Sequence, residues 1–182
     1  MADNRKLNIV DETGKIIGEE TRENIHKQGL LHREIRVWFY TPKGELIFQH
    51  REKDKDTYPD LLDATVGGHV EIGADYENSA LQELEEETGI RAAKNNLIFI
   101  QIMKSKTYDK TTETTNNVIR AIYAYRYNGS IKDLKIEKGK AIGFEVWPLD
   151  KIFNISDEDK KRFIPSMLGK EMLEIFHKIQ KL

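Results

Sequence analysis

Cysteine is absent from the 182-residue chain, which removes disulfide stapling, thiolate nucleophiles and thiolate metal ligation together. Proline is scarce, with four in the chain, and no proline-rich linker, internal repeat or low-complexity segment interrupts the sequence. Long apolar runs are also missing. No stretch approaches the roughly 20 residues that a helical membrane span needs. The opening Met1-Ala2-Asp3-Asn4-Arg5-Lys6 is charged where a secretory signal would be apolar. A cytoplasmic protein without membrane contact is the expectation. Charge of either sign is nearly balanced, at a formal net charge of −2. That argues against bulk binding to nucleic acid or anionic membrane, and leaves a small ligand gripped by a local basic cluster.

What is present suits one globular domain over residues 1–182, with 38% hydrophobic and 33% charged residues. The most informative stretch runs from Gly67 to Ile90. It reads as a glycine-rich loop followed by a helix, capped by Asp75 at its start and by Gly89 at its end. In that helix Glu83, Glu86 and Glu87 fall at i, i+3 and i+4 and share a face, beside an apolar stripe of Ala80, Leu81 and Leu84. A glutamate run is often only a solvated face. Here it carries two penalties. Like charges at i and i+4 cost roughly 0.2–0.5 kcal/mol, and carboxylates in the last turn oppose the helix dipole by roughly 0.3–1 kcal/mol each. A divalent cation offsets both, and hard cations such as Mg²⁺ take carboxylates together with substrate phosphate oxygens.

The segment 68–90 resembles the Nudix box: Gly, five residues, Glu, seven residues, Arg-Glu, an aliphatic, any residue, Glu-Glu, any residue, Gly, aliphatic. Gly68, Glu83, Leu84, Glu86, Glu87, Gly89 and Ile90 match in register. Ala74 replaces the first Glu of the pattern, and Gln82 the Arg. The resemblance implies an α/β fold, a Nudix-type α/β/α sandwich with a mixed β-sheet. It also implies Mg²⁺ (or Mn²⁺) held by Glu83, Glu86 and Glu87, with Gly68 beside the substrate. The two departures alter the support of that site, so metal binding is expected more firmly than turnover.

The rest of the chain fits such a layout. Leu7–Val10 and Ile16–Glu20 flank a polar turn as a hairpin over residues 7–20, and Thr21 caps a short helix towards His26. Glu34–Tyr40 and Leu46–His50 form a second hairpin around Pro42-Lys43-Gly44. Strands at Leu97–Met103 and Val118–Tyr125 are separated by a polar stretch, Lys104–Asn117, long enough to suggest a functional loop. Ile142–Trp147 reads as a last strand. Helices follow over 156–181, one capped by Ser156 and the last opened by Pro165, with Leu168, Met172, Ile175, Phe176 and Ile179 along an apolar face. Relatives of this kind are often homodimers, and that face is a candidate dimer surface.

The similarity continues outside the box at lower specificity, towards the branch that includes isopentenyl-diphosphate isomerase. There a basic pair before a Tyr/Trp-Pro contacts the diphosphate, which implies Arg51 and Lys55 here, ahead of Tyr58-Pro59. Arg supplies a planar fork and Lys a mobile point charge; the competing reading is a solvated, charge-alternating turn over Arg51–Asp56. The isomerase also binds a metal through three histidines, and His26, His32 and His69 stand in comparable places. Yet Gly67 occupies the position of its cysteine, and Thr115, Asn116 and Asn117 that of its carboxylate pair. Packing or hydrogen-bonding roles are therefore expected for the histidines. A water-activating base is sought in Glu86 or in Glu113 of the polar loop, with Glu71 and Glu145 as weaker candidates.

The expectation is a Mg²⁺-dependent hydrolase that cleaves the diphosphate of a nucleoside diphosphate linked to a moiety X. Two alternatives stand beside it: isomerase-like chemistry on an isoprenoid diphosphate, and a Nudix-fold module that binds a nucleotide without turnover.

Overall fold

Among the described residues nine strands share one sheet. They are β1 (Lys6–Val10), β2 (Ile16–Thr21), β3 (His32–Tyr40), β4 (Glu45–Arg51), β5 (Leu62–Asp63), β6 (Val66–His69), β7 (Leu97–Asp109), β8 (Thr114–Arg126) and β9 (Ala141–Pro148). The helices are α1 (Arg22–Gln28), α2 (Tyr76–Thr88), α3 (Leu149–Phe153), α4 (Asp157–Lys160) and α5 (Lys170–Ile179). The computed structural model describes residues 4–55 and 57–182. The first three residues of the charged start, and Asp56 at the end of the charge-alternating run, lie outside that description.

Strand β3 sets the layering, because successive side chains on a strand point to opposite faces. Ile35, Val37 and Phe39 enter one apolar cluster with Ala80 and Leu84 of α2. Trp38 and Tyr40 enter another, with Phe48, Phe163, Met172 and Phe176. One face of the sheet is thus covered by α2 and the other by α5, which is the α/β/α sandwich expected. The sheet is mixed: β3 runs parallel to β8, from His32 opposite Val118 to Tyr40 opposite Arg126, and antiparallel to β4 and β6. No helix among the described residues is long and apolar enough to cross a membrane.

Four details depart from the sequence reading. Gly67 and Gly68 lie not in a loop but in β6, paired with Arg36 and Ile35 of β3. Glycine suits that place because the backbone there runs directly beneath α2. The polar stretch Lys104–Asn117 is mostly strand, since β7 and β8 pair from Leu97 opposite Tyr125 to Asp109 opposite Thr114 and leave only a short turn. Alternating polar residues there mark a sheet margin open to water, a pattern that looks like a loop when hydrophobicity alone is counted. Pro165 opens a separate 3₁₀ turn, Pro165–Leu168, and α5 begins after Gly169. Finally, Met172, Ile175, Phe176 and Ile179 are buried in the chain's own core, so the C-terminal apolar face is not a surface for a second copy.

Phe176 is fully buried and meets Trp38 edge-to-face at 4.8 Å between ring centroids. Phe176→Ala is expected to lower stability by about 3–5 kcal/mol, read from chemical denaturation; a loss below about 1 kcal/mol would mean that α5 does not close the core.

Candidate metal and diphosphate site

Helix α2 is fixed at both ends. Asp75 accepts from the Asn78 backbone N–H at 2.7 Å, and Gly89 closes the helix at φ 75°, a left-handed conformation that glycine adopts without Cβ strain. Burial of Ala80 and Leu84 against the sheet then sets the rotation of the helix. Glu83 and Glu87, one turn apart, face β6, while Glu86 stands exposed.

The three glutamates are therefore not equivalent. Glu87 is fully buried. One of its oxygens accepts from Gln49 Nε2 at 2.6 Å; the other accepts from the Gly67 N–H at 3.2 Å and from Lys140 Nζ at 2.5 Å. Burial pushes its carboxyl up to about 7, against the opposing pull of the Lys140 ammonium. Glu83 is also pushed up by burial, again with Lys140 opposing and with the neighbouring charge of Glu86 adding to the rise. Glu86 accepts from Gln82 Nε2 at 3.0 Å. Gln82, standing where the box pattern has Arg, thus still steadies the rim carboxylate.

These residues fit a hard divalent cation. The donors facing one another are carboxylate oxygens of Glu83 and Glu87 and the carbonyl oxygen of Gly67, all oxygens of the kind Mg²⁺ and Mn²⁺ prefer. Gly68 completes the cradle. A Cβ at Gly68 would lie 2.1 Å from the Glu83 carboxyl carbon, so any larger residue displaces that carboxylate. A cleft of about 270 Å³ opens beside the cradle, lined by Arg5, Lys6, Arg22, His69, Glu71 and Glu83.

The basic residues singled out in the sequence lie close by, in different roles. Arg51 donates to the carbonyls of Tyr58 and Thr57 at 3.0 and 2.7 Å and to Asp63 at 3.2 Å. It therefore braces a segment in which Tyr58 and Asp60 carry positive φ. The Lys55 ammonium is pushed down by burial and by the neighbouring charges of Arg51 and Lys140, so three cations share the region. Glu113 sits exposed on the β7–β8 turn at φ 53°. Glu71 lines the cleft, whereas Glu145 is tied to Arg162 at 2.6 Å. Sequence reading missed Lys140 and Gln49. Neither belongs to a motif, and only the pairing of β4 with β9 brings them to α2.

The histidines converge. His26 on α1, His32 on β3 and His69 on β6 place one nitrogen each within 4.8 Å of one another, with His26 Nε2 and His69 Nε2 3.2 Å apart. Glu34 lies 3.6 Å from His69 and 3.8 Å from His32, and is itself held by Arg120 and by the Asn116 amide. His32 also bonds the Leu30 carbonyl. Packing and hydrogen bonding are thus real, but three imidazoles beside a carboxylate are also a donor set for a transition-metal ion. Burial lowers His26 to about 4 and His69 to about 3, so both rings are neutral near pH 7.

A model of the NUDIX domain matches residues 30–167. An uncharacterised Nudix hydrolase of Clostridium acetobutylicum is 30% identical over 154 residues, which cover 83% of this chain and 73% of that protein. Matches to relatives from Yersinia pestis and Streptomyces coelicolor each span 46% of those proteins. Among solved structures, the DR0079 protein of Deinococcus radiodurans superposes with a TM-score of 0.69 at 17% identity, covering 96% of this chain and 98% of that one. The NUDIX domain of Shewanella oneidensis NrtR, solved with ADP ribose, superposes at 0.58 and 12% identity, covering 82% and 88%.

Two outcomes follow from this geometry. Gly68→Ala is expected to weaken Mn²⁺ binding by about tenfold or more while the protein stays folded, as read by titration calorimetry and circular dichroism. Unchanged affinity would remove the cradle. Because His26 and His69 titrate lower when folded than the usual 6.5, their contribution to stability is fully present above pH 6.5 and is lost as pH falls towards about 4 and 3. In chelator-treated protein, melting temperature should fall across that window, and less steeply in a His26→Asn/His69→Asn variant; parallel profiles would refute the assignment.

Proposed function

Since the chain belongs to the Nudix hydrolase family, we propose that it cleaves the diphosphate of a nucleoside diphosphate linked to a moiety X, acting in the cytoplasm with Mg²⁺ or Mn²⁺. The observation that carries this reading is the buried Glu87 beside Glu83 and the Gly67 carbonyl, an oxygen cradle at the edge of a cleft that Arg5, Lys6 and Arg22 help to line. Glu83 and Glu87 would hold the cation, with Glu86 at the rim. Bound there, a divalent ion neutralises phosphate oxygens and lowers the pKa of a water.

The protein's own groups supply the rest. Gln49 and the Gly67 N–H fix the Glu87 carboxylate in one orientation, so its remaining lone pairs point into the cradle. Lys55 brings positive charge to the diphosphate, and Arg51 holds the 57–58 segment in place while adding to the same field. Glu86 and Glu113 are the proposed acceptors of the water's proton, both exposed and therefore able to release it to solvent. ADP ribose belongs among the substrates to be tried, since the Shewanella NUDIX domain was solved with it.

An isomerase-like reading is favoured by the histidine cluster alone. Against it, Asn116 and Asn117 spend their amides on Glu34 and the Gly29 carbonyl, and Gly67 provides no thiol.

Incubation with nucleoside diphosphates, dinucleotides, ADP ribose and an isoprenoid diphosphate in Mg²⁺ or Mn²⁺ should release product from at least one nucleotide. Glu87→Gln should lower that rate by about a hundredfold or more. Of Glu86→Gln and Glu113→Gln, the one that removes the base should depress kcat with little change in KM. No product from any nucleotide, with ligand-induced thermal stabilisation intact, would identify a binding module instead.

A further inference from the structure

Lys140 has a role that the box motif does not contain. It stands in the turn before β9, anchored by its own carbonyl accepting from the Glu52 N–H at 3.2 Å, and its side chain reaches α2 and β6. An ammonium has three N–H donors. In Lys140 they are aimed at the Gly67 carbonyl at 3.2 Å, Glu83 Oε2 at 3.5 Å and Glu87 Oε1 at 2.5 Å. Those are the oxygens that face one another in the cradle, so the ammonium nitrogen stands where a hard cation would be held by the same atoms.

Its environment fits a resident that can leave. The side chain is 28% exposed at the edge of the site, and the four-carbon stem is flexible. Glu137 lies 3.8 Å from the ammonium and gives it a partner outside the cradle. Lys55 and Arg51 lie near enough for their charges to act on one another with Lys140, which makes that side of the site a place for phosphate oxygens.

We propose that Lys140 is a tethered cation that exchanges places with the divalent ion: it offsets part of the charge of Glu83 and Glu87 while the ion is absent, and on displacement turns its own charge to the substrate diphosphate. This rests on the hydrolase reading only in taking Glu83 and Glu87 as the metal carboxylates. The exchange has a thermodynamic signature. An ion that must evict a resident counter-ion binds with an affinity reduced by the fraction of molecules in which the seat is clear. Removing the tethered charge therefore strengthens metal binding, whereas removing a residue that merely shapes the site would weaken it.

The test uses the full chain at about pH 8.5, where carboxylates are ionised, and measures Mg²⁺ binding by calorimetry without substrate. ADP binding is then measured at saturating Mg²⁺. Lys140→Met is expected to bind Mg²⁺ about tenfold more tightly and ADP about tenfold more weakly than the unaltered protein. Lys140→Arg, which keeps the charge, should stay within about threefold in ADP affinity. Equal or weaker Mg²⁺ binding in a folded Lys140→Met, or undiminished ADP binding, overturns the exchange. If Lys140→Met does not fold, Lys140→Gln is read by the same two criteria. When the unaltered protein binds Mg²⁺ and loses it in Glu87→Gln, a negative result removes only the role of Lys140; when no variant binds Mg²⁺, the hydrolase reading falls with it.

Discussion

A carboxylate taken completely out of water dominates this structure. An isolated buried carboxylate costs several kcal/mol even after relaxation, so its charge must be met by donors, by a counter-charge or by a proton. Glu87 is met by both: the Gln49 amide, the Gly67 N–H and the Lys140 ammonium. Those groups come from β4, β6 and the turn before β9, three segments far apart in the chain. The sheet must therefore close before the charge is tolerable. The sheet order that brings β4 between β3 and β9 does as much for the site as the glutamate helix itself.

Much of the helix was legible beforehand because its signals are local. Asp75 and Gly89 mark its ends, and the spacing of Ala80 and Leu84 against Glu83 and Glu87 identifies its two sides. The β-branched and aromatic content of Glu34 to Tyr40 likewise gives the central strand, whose two faces enter the two apolar clusters. What escaped reading depends on pairing across the chain. Lys140 is one lysine among many until β9 pairs with β4. Gly67 and Gly68 suggest a loop until β3 is placed alongside, and the polar β7–β8 hairpin hides its register behind water-facing side chains.

The two groups of candidate ligands differ in kind. Around Glu87 the candidate metal ligands are carboxylate and carbonyl oxygens, with the Lys140 ammonium beside them, an arrangement suited to a hard ion and a polyanion. Around His69 the candidate ligand atoms are ring nitrogens, those of His26 and His69 kept neutral by burial, with Glu34 held by Arg120. Neutral imidazole binds borderline metals, and the burial that holds His26 and His69 unprotonated preserves their lone pairs at mildly acidic pH.

Strand β6 is only four residues long, yet it serves both places: Gly67 supplies its N–H and carbonyl to the carboxylate cradle, and His69 stands among the imidazoles. The strand is paired residue for residue with β3, which fixes the spacing between the two places. Its backbone therefore sets how far the oxygen cradle stands from the imidazoles.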